Sequence, residues 1–246
     1  MEVHHHPHIE KKSLKEYFLE FLMIFLAVTM GFLAESLREN MSDKEKEREY
    51  ISSLLSDLKQ DIINLNTAIR DNKEKIKGLD SLISLSFRNM SEPINRQQLY
   101  IYSSKYVSYY SVFISDDATM LQLKNSGGLR LIKHGHVADS IAHYDLEMRN
   151  IFTAEGPYTK AGSNAVDGVQ ELLVSTWLED TAYVKNGDFT GKELPLLTTD
   201  PQNIMVFFNK ISYERGWTRN YMNSLIETLP YTTRLIAFLK EEYELE

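Results

Sequence analysis

The 246 residues contain no cysteine. Disulfides, thiolate metal sites and a cysteine nucleophile are therefore excluded, while the compartment stays open, because reducing and oxidising environments both tolerate a thiol-free chain. No GxSxG, HExxH, Walker or Rossmann pattern occurs, and the pair Gly127-Gly128 lacks the Lys-Ser/Thr that a phosphate-cradling loop needs. We therefore expect no enzyme. Positive charge is not in excess either: 27 Lys and Arg against 35 Asp and Glu leave a net charge of -8. A phosphate-binding surface needs concentrated Lys and Arg, so nucleic acid is not an expected partner. Proline and glycine are missing from residues 32–77, which leaves room for one uninterrupted helix.

Charge is scarce in one further place. From Tyr17 to Ala34 the only charged residue is Glu20. As a helix this stretch spans about 27 Å at 1.5 Å per residue, close to the roughly 30 Å hydrocarbon core of a bilayer. It is apolar on all faces, whereas a helix on a globular surface shows a polar stripe. Phe32-Leu33-Ala34 lacks the small residue two places before the cut that a signal-peptide cleavage site wants. The spacing predicts one uncleaved transmembrane helix over 14–38. Residues 41–246 hold no second uncharged run of that length.

Positive residues flank the span on both sides, Lys11, Lys12 and Lys15 before it and Arg38, Lys44, Lys46 and Arg48 after it. A short basic tail before a first span more often stays in the cytoplasm, which places the large domain outside. Glu20 and Glu35 are the ionisable residues of the span. Either they reach the headgroup region or they serve ion passage or contact with another membrane protein.

Residues 1–13 form a His-rich tail with imidazoles at His4, His5, His6 and His8. Clustered neutral imidazoles ligate divalent metals. Pro7 and the short length give no fixed geometry, so a solvated tail and a metal-binding tail are both open. His134, His136 and His143 make a second group. On a helix, His136 and His143 stand about 10 Å apart along the axis, too far to share one metal unaided, and they read as surface histidines.

The opening MEVHHHPHIEKKSLKEYFLEFLMIFLAVTMGFLAESLRE resembles that of a family of uncharacterised bacterial membrane proteins. The stretch LQLKNSGGLRLI at Leu121–Ile132 is similar to a second segment of that family. The resemblance implies a His-rich tail, one span of the bacterial inner membrane and a C-terminal helical domain, which the orientation above puts in the periplasm. It brings no catalytic residue with it.

From 39 to about 90 the pattern becomes a long amphipathic helix or stalk. Ile51, Leu55, Leu58, Ile62, Leu65, Ile69, Asn72, Ile76, Leu79 and Ile83 recur at alternating spacings of 4 and 3. With Ile favoured at a and Leu at d, this is the preference of a parallel two-stranded coiled coil, in which Asn72 would fix register. Leu54, Ile63 and Leu82 widen the stripe, and then it packs inside its own domain instead. Ser42-Asp43-Lys44-Glu45 is a capping box that favours a fresh helix start near 40–43.

Residues 91–246 read as a helical domain. Helices are expected over Asn95–Val112, from Asp116 or Asp117 to Gly127-Gly128, over 136–152 and 163–180, and from Pro201 toward Leu239 with a kink at Pro230. Residues 156–162 are expected as a connection and 181–200 as the longest loop. Tyr100, Tyr102, Tyr106, Tyr109 and Tyr110 read as half-buried packing with hydroxyls in water.

The fold class expected is all-α, and the role expected is that of a membrane-anchored structural or interaction protein. It would self-associate, through the seam or the Ala27-xxx-Gly31 face, or join a larger membrane complex. The alternatives are an oligomeric ion-handling subunit with Glu20 on its axis, and a metal-sensing module using the tail.

Overall fold

The computed structural model describes residues 13–107, 109–174, 176 and 194–245. The His-rich tail up to Lys12, and most of the expected loop over 181–200, lie outside them. The described residues are helical, without a β-strand among them; one isolated antiparallel bridge joins Leu173 to Leu196. The chain divides into two compact units, Met1–Glu49 and Tyr50–Glu246.

Helix α1 runs from Leu14 to Ser84. It passes through Ser42–Glu45 without a break, so the capping box starts no new helix. With neither Pro nor Gly between 32 and 77, each backbone N–H there has its carbonyl four residues back, and no side chain is needed to cap it. A short 3₁₀ turn, Leu85–Phe87, follows.

Helix α2, Pro93–Tyr102, carries its proline in the first turn, where the missing N–H is harmless. It gives way to a π-helical turn over Ser103–Val107. The expectation of a helix to Val112 is corrected here: Tyr109–Asp117 is non-helical. Gly78 explains how this region approaches α1. A Cβ there would lie 2.1 Å from Tyr106 Cγ, so only glycine admits that ring.

Helix α3, Ala118–Asn125, ends before Gly127, whose φ of 71° supplies the left-handed residue expected at this stop. Asp117 occupies the N-cap position without a capping bond of its own. Asp57 of α1 caps α3 from outside, accepting from Thr119 N at 3.0 Å.

Helix α4, Gly135–Leu172, replaces the two helices and the connection expected there. It continues through Gly156-Pro157 because its buried face does: Tyr144, Met148, Ile151, Tyr158, Ala161, Ala165 and Val169 keep helical spacing across the proline. Helix α5, Pro201–Tyr243, likewise runs through Pro230. Asp200 caps it, accepting from Gln202 N at 3.0 Å.

In the second unit, α4, α5 and the α1 residues from Tyr50 onward surround two hydrophobic cores. The first holds Ile51, Leu55, Leu58 and Leu65 of α1 with Ile141 and Met148 of α4 and Leu225 and Leu235 of α5. The second holds Leu79 and Leu82 with Ala165, Val169, Phe207 and Ile211. The order of these residues makes α1 and α4 parallel and α5 antiparallel to both. Of the seam, Leu55, Leu58, Leu65, Asn72 and Ile76 are buried, while Ile62 and Ile69 are half-buried. The stripe therefore packs inside its own domain. The buried members have no surface left for a second chain, while Ile62 and Ile69 keep part of theirs.

Candidate functional site

Two features call for a functional account. One is the uncovered apolar half of α1, and the other is a charged layer between the two cores.

Every large apolar side chain from Phe21 to Leu33 except Leu22 is 49–73% exposed. Leaving apolar surface in water costs roughly 25 cal/mol per Å², so an all-round stripe of this length asks for an apolar surrounding. α1 is long and apolar enough to cross a membrane, and its apolar stretch is not buried in the chain. Its polar groups are handled locally. The Thr29 hydroxyl donates to the Phe25 carbonyl at 2.8 Å, and Arg38 Nε donates to Glu35 at 3.0 Å. Glu20 is half-buried, Glu35 exposed, and both Ala27 and Gly31 are exposed.

The charged layer lies in the second unit where α1 changes from one core to the other. Lys75 and Glu214 are wholly buried, and Lys75 Nζ stands 2.8 Å from Glu214 Oε1. The ammonium also donates to the Tyr109 carbonyl at 2.6 Å. It lies 4.8 Å from the Tyr110 ring centre and 5.3 Å from that of Tyr158, within cation–π range. Glu214 Oε2 has no hydrogen-bond donor among the described residues. Burial pushes the Glu214 carboxyl up to about 7, against the pull of the Lys75 ammonium.

Around this pair the segment Tyr109–Asp117 is strapped to α1 in antiparallel sense. Asp61 accepts from Asp116 N at 2.7 Å and from the Ser115 hydroxyl at 3.1 Å. Asn64 donates to the Ile114 carbonyl and Asn72 to the Ser111 carbonyl, each at 2.8 Å. From the other side, Tyr158 Oη accepts from Ser111 N at 3.2 Å and Tyr221 Oη from Phe113 N at 2.8 Å. Those two rings stack 4.7 Å apart. An irregular buried segment must find partners for its peptide groups somewhere, and here side chains provide them. Tyr144 Oη also donates to Asp61. Burial pushes the Asp61 carboxyl up, against the hydrogen bonds from Tyr144, Asp116 and Ser115.

The tyrosines expected to reach water do not all do so. Tyr100 is buried, its hydroxyl donating to the Pro195 carbonyl at 2.6 Å and accepting from Val174 N at 2.9 Å. The Tyr109 hydroxyl donates to Asp71 at 3.0 Å. Sequence reasoning found Asn72 as the polar break in the stripe but missed Lys75 and Glu214. The available signal was Lys75 lying three residues after Asn72, on the same helical face. For Glu214 it was the place three residues after Ile211 and seven before Tyr221, on the apolar face of its helix.

The surface of the second unit carries a groove of about 550 Å³ between α4 and α5, lined by Pro157, Lys160, Lys210, Tyr213 and Trp217. Among the histidines, His134 and His136 come together with Glu242, while His143 pairs with Glu147 at 3.4 Å. His4, His5, His6 and His8 lie outside the described residues.

No protein-family model, curated protein or solved structure matches this chain. Its function is therefore argued from its own residues.

Proposed function

We propose that this protein is a single-span membrane protein that holds a helical interaction domain at the bilayer surface. The observation that carries the reading is the bare apolar half of α1, uncharged from Phe21 to Ala34 and exposed all round. The second unit supports it from the other direction, because its two cores are filled by residues from Ile51 onward without help from the apolar run. An interaction role fits the α5 surface, where Val206, Tyr213 and Trp217 stay exposed along one face. Aromatic side chains of this kind are enriched in protein–protein contacts. The resemblance of the opening to bacterial single-span membrane proteins points the same way, and it makes the inner membrane the expected location.

Carbonate extraction tests the reading. The full chain should stay with the membrane pellet, whereas residues 41–246 should be released and remain helical by circular dichroism. A 41–246 fragment that stays with membranes after high salt and carbonate would remove the single-span reading.

A further inference from the structure

Where the second unit's longest helices end and begin, three metal-ligating side chains converge. His134 precedes the first turn of α4, His136 lies within that turn, and Glu242 lies in the last turn of α5. One ligand atom from each falls within 4.8 Å of the others. His136 Nε2 stands 3.1 Å from Glu242 Oε2, although the two residues are 106 positions apart in the chain.

With metal–nitrogen and metal–oxygen bonds of about 2.0–2.2 Å, two ligands of a tetrahedral ion stand roughly 3.4 Å from one another. His136 and Glu242, at 3.1 Å, need part by only a few tenths of an ångström, and a ligand atom of His134 lies within 4.8 Å of both. The imidazoles are also held in place. The His136 ring centre is 5.7 Å from that of Phe238, and the His134 ring centre is 5.9 Å from that of Tyr243. Phe238 and Tyr243 are themselves packed against the first core. Rigid supports of this kind are what a weak cluster of surface side chains lacks.

We propose that His134, His136 and Glu242 bind a divalent transition-metal cation of the zinc class, independently of the His-rich tail. Two imidazole nitrogens and one carboxylate suit a borderline-soft ion such as Zn²⁺ and suit Ca²⁺ or Mg²⁺ poorly. The fourth position faces solvent and takes water or a group from a partner. The bound ion fastens the start of α4 to the end of α5. Because those residues are far apart in the unfolded chain, the ion binds the folded form and stabilises it.

The test uses the full chain in detergent with His4, His5, His6 and His8 all changed to Ala, so that the tail contributes nothing. Calorimetry with Zn²⁺ should give one ion per chain, and Zn²⁺ should raise the melting temperature. Glu242→Gln and His136→Ala should each weaken binding beyond the ~10–100-fold that losing a mere supporting hydrogen bond to a ligand costs. His143→Ala, a nearby histidine outside the cluster, should bind as the parent does. Should His136→Ala fail to fold, Glu242→Gln keeps the size and hydrogen-bonding capacity of the side chain and carries the comparison. A tail-free protein that takes up no zinc overturns the proposal. So does equal affinity in Glu242→Gln and the parent, or a loss in His143→Ala as large as in His136→Ala.

Discussion

Lys75 and Glu214 meet 2.8 Å apart with no exposed surface on either side chain, and their pairing divides the interior into two apolar halves. Breaking a buried pair from one side strands the remaining charge, at a cost of about 3–5 kcal/mol. Lys75→Met in the full chain should therefore lower stability by that order in denaturant unfolding. Lys75→Met combined with Glu214→Leu should recover most of the loss, since apolar replacement of a whole buried pair is often neutral or stabilising. A double variant no better than Lys75→Met would show that the ammonium's bond to the Tyr109 carbonyl matters more than its partner.

The same pair sets a pH dependence. Burial raises the Glu214 carboxyl to about 7 from its ordinary 4.5, so between those values the folded protein holds a proton that the unfolded chain has released. Its contribution to stability is full below pH 4.5 and is lost as pH rises through about 7. Asp61, also raised, acts in the same direction. Melting temperature measured against pH should fall across this window, and Glu214→Gln should flatten the fall. An unchanged slope in Glu214→Gln would place the titration elsewhere.

Asn72→Leu separates the two readings of the long stripe. In a two-chain seam, removing a polar residue would raise stability and loosen oligomer choice. Here Asn72 donates to the Ser111 and Ala68 carbonyls of its own chain. Leucine strands a strap carbonyl in the interior, which costs about 1–3 kcal/mol. We expect a lower melting temperature with no change in particle mass by sedimentation.

Gly78→Ala is expected to destabilise the chain even though alanine favours helix over glycine by about 1 kcal/mol. The new methyl meets the root of the Tyr106 ring, and overpacking of this kind costs roughly 1–3 kcal/mol. Adding Tyr106→Ala should relieve the clash, so Gly78→Ala should cost less in that background than in the parent. Thermal melts of the four proteins give the comparison.

Periodicity made the main elements legible. The uncharged run marked the apolar half of α1, the stripe from Ile51 to Ile83 marked its packed half, and Gly127 and Pro201 marked a helix stop and a helix start. What escaped was decided by packing between distant segments. Pro157 looked like a break because its local effect is plain, while the buried face that carries α4 past it is visible only when counted across the proline. The helix expected over Asn95–Val112 stops short of Tyr109, because the peptide groups from there to Asp116 are claimed by Asp61, Asn64, Asn72 and Lys75 of α1. Lys75 and Glu214 were unreadable as a pair: a charged residue in a helix is normally at the surface, and neither sequence neighbourhood points to the other.

The charged layer also acts as an axial ruler for the three long helices of the second unit. Sliding α5 by one helical turn, about 5.4 Å, would carry Glu214 away from Lys75, to the level of Leu79 in one direction and of Asn72 in the other. Hydrophobic contacts alone would tolerate such a slip, since one apolar layer resembles the next. A carboxylate set against leucine does not, and so the helices have one alignment in which Lys75 and Glu214 meet.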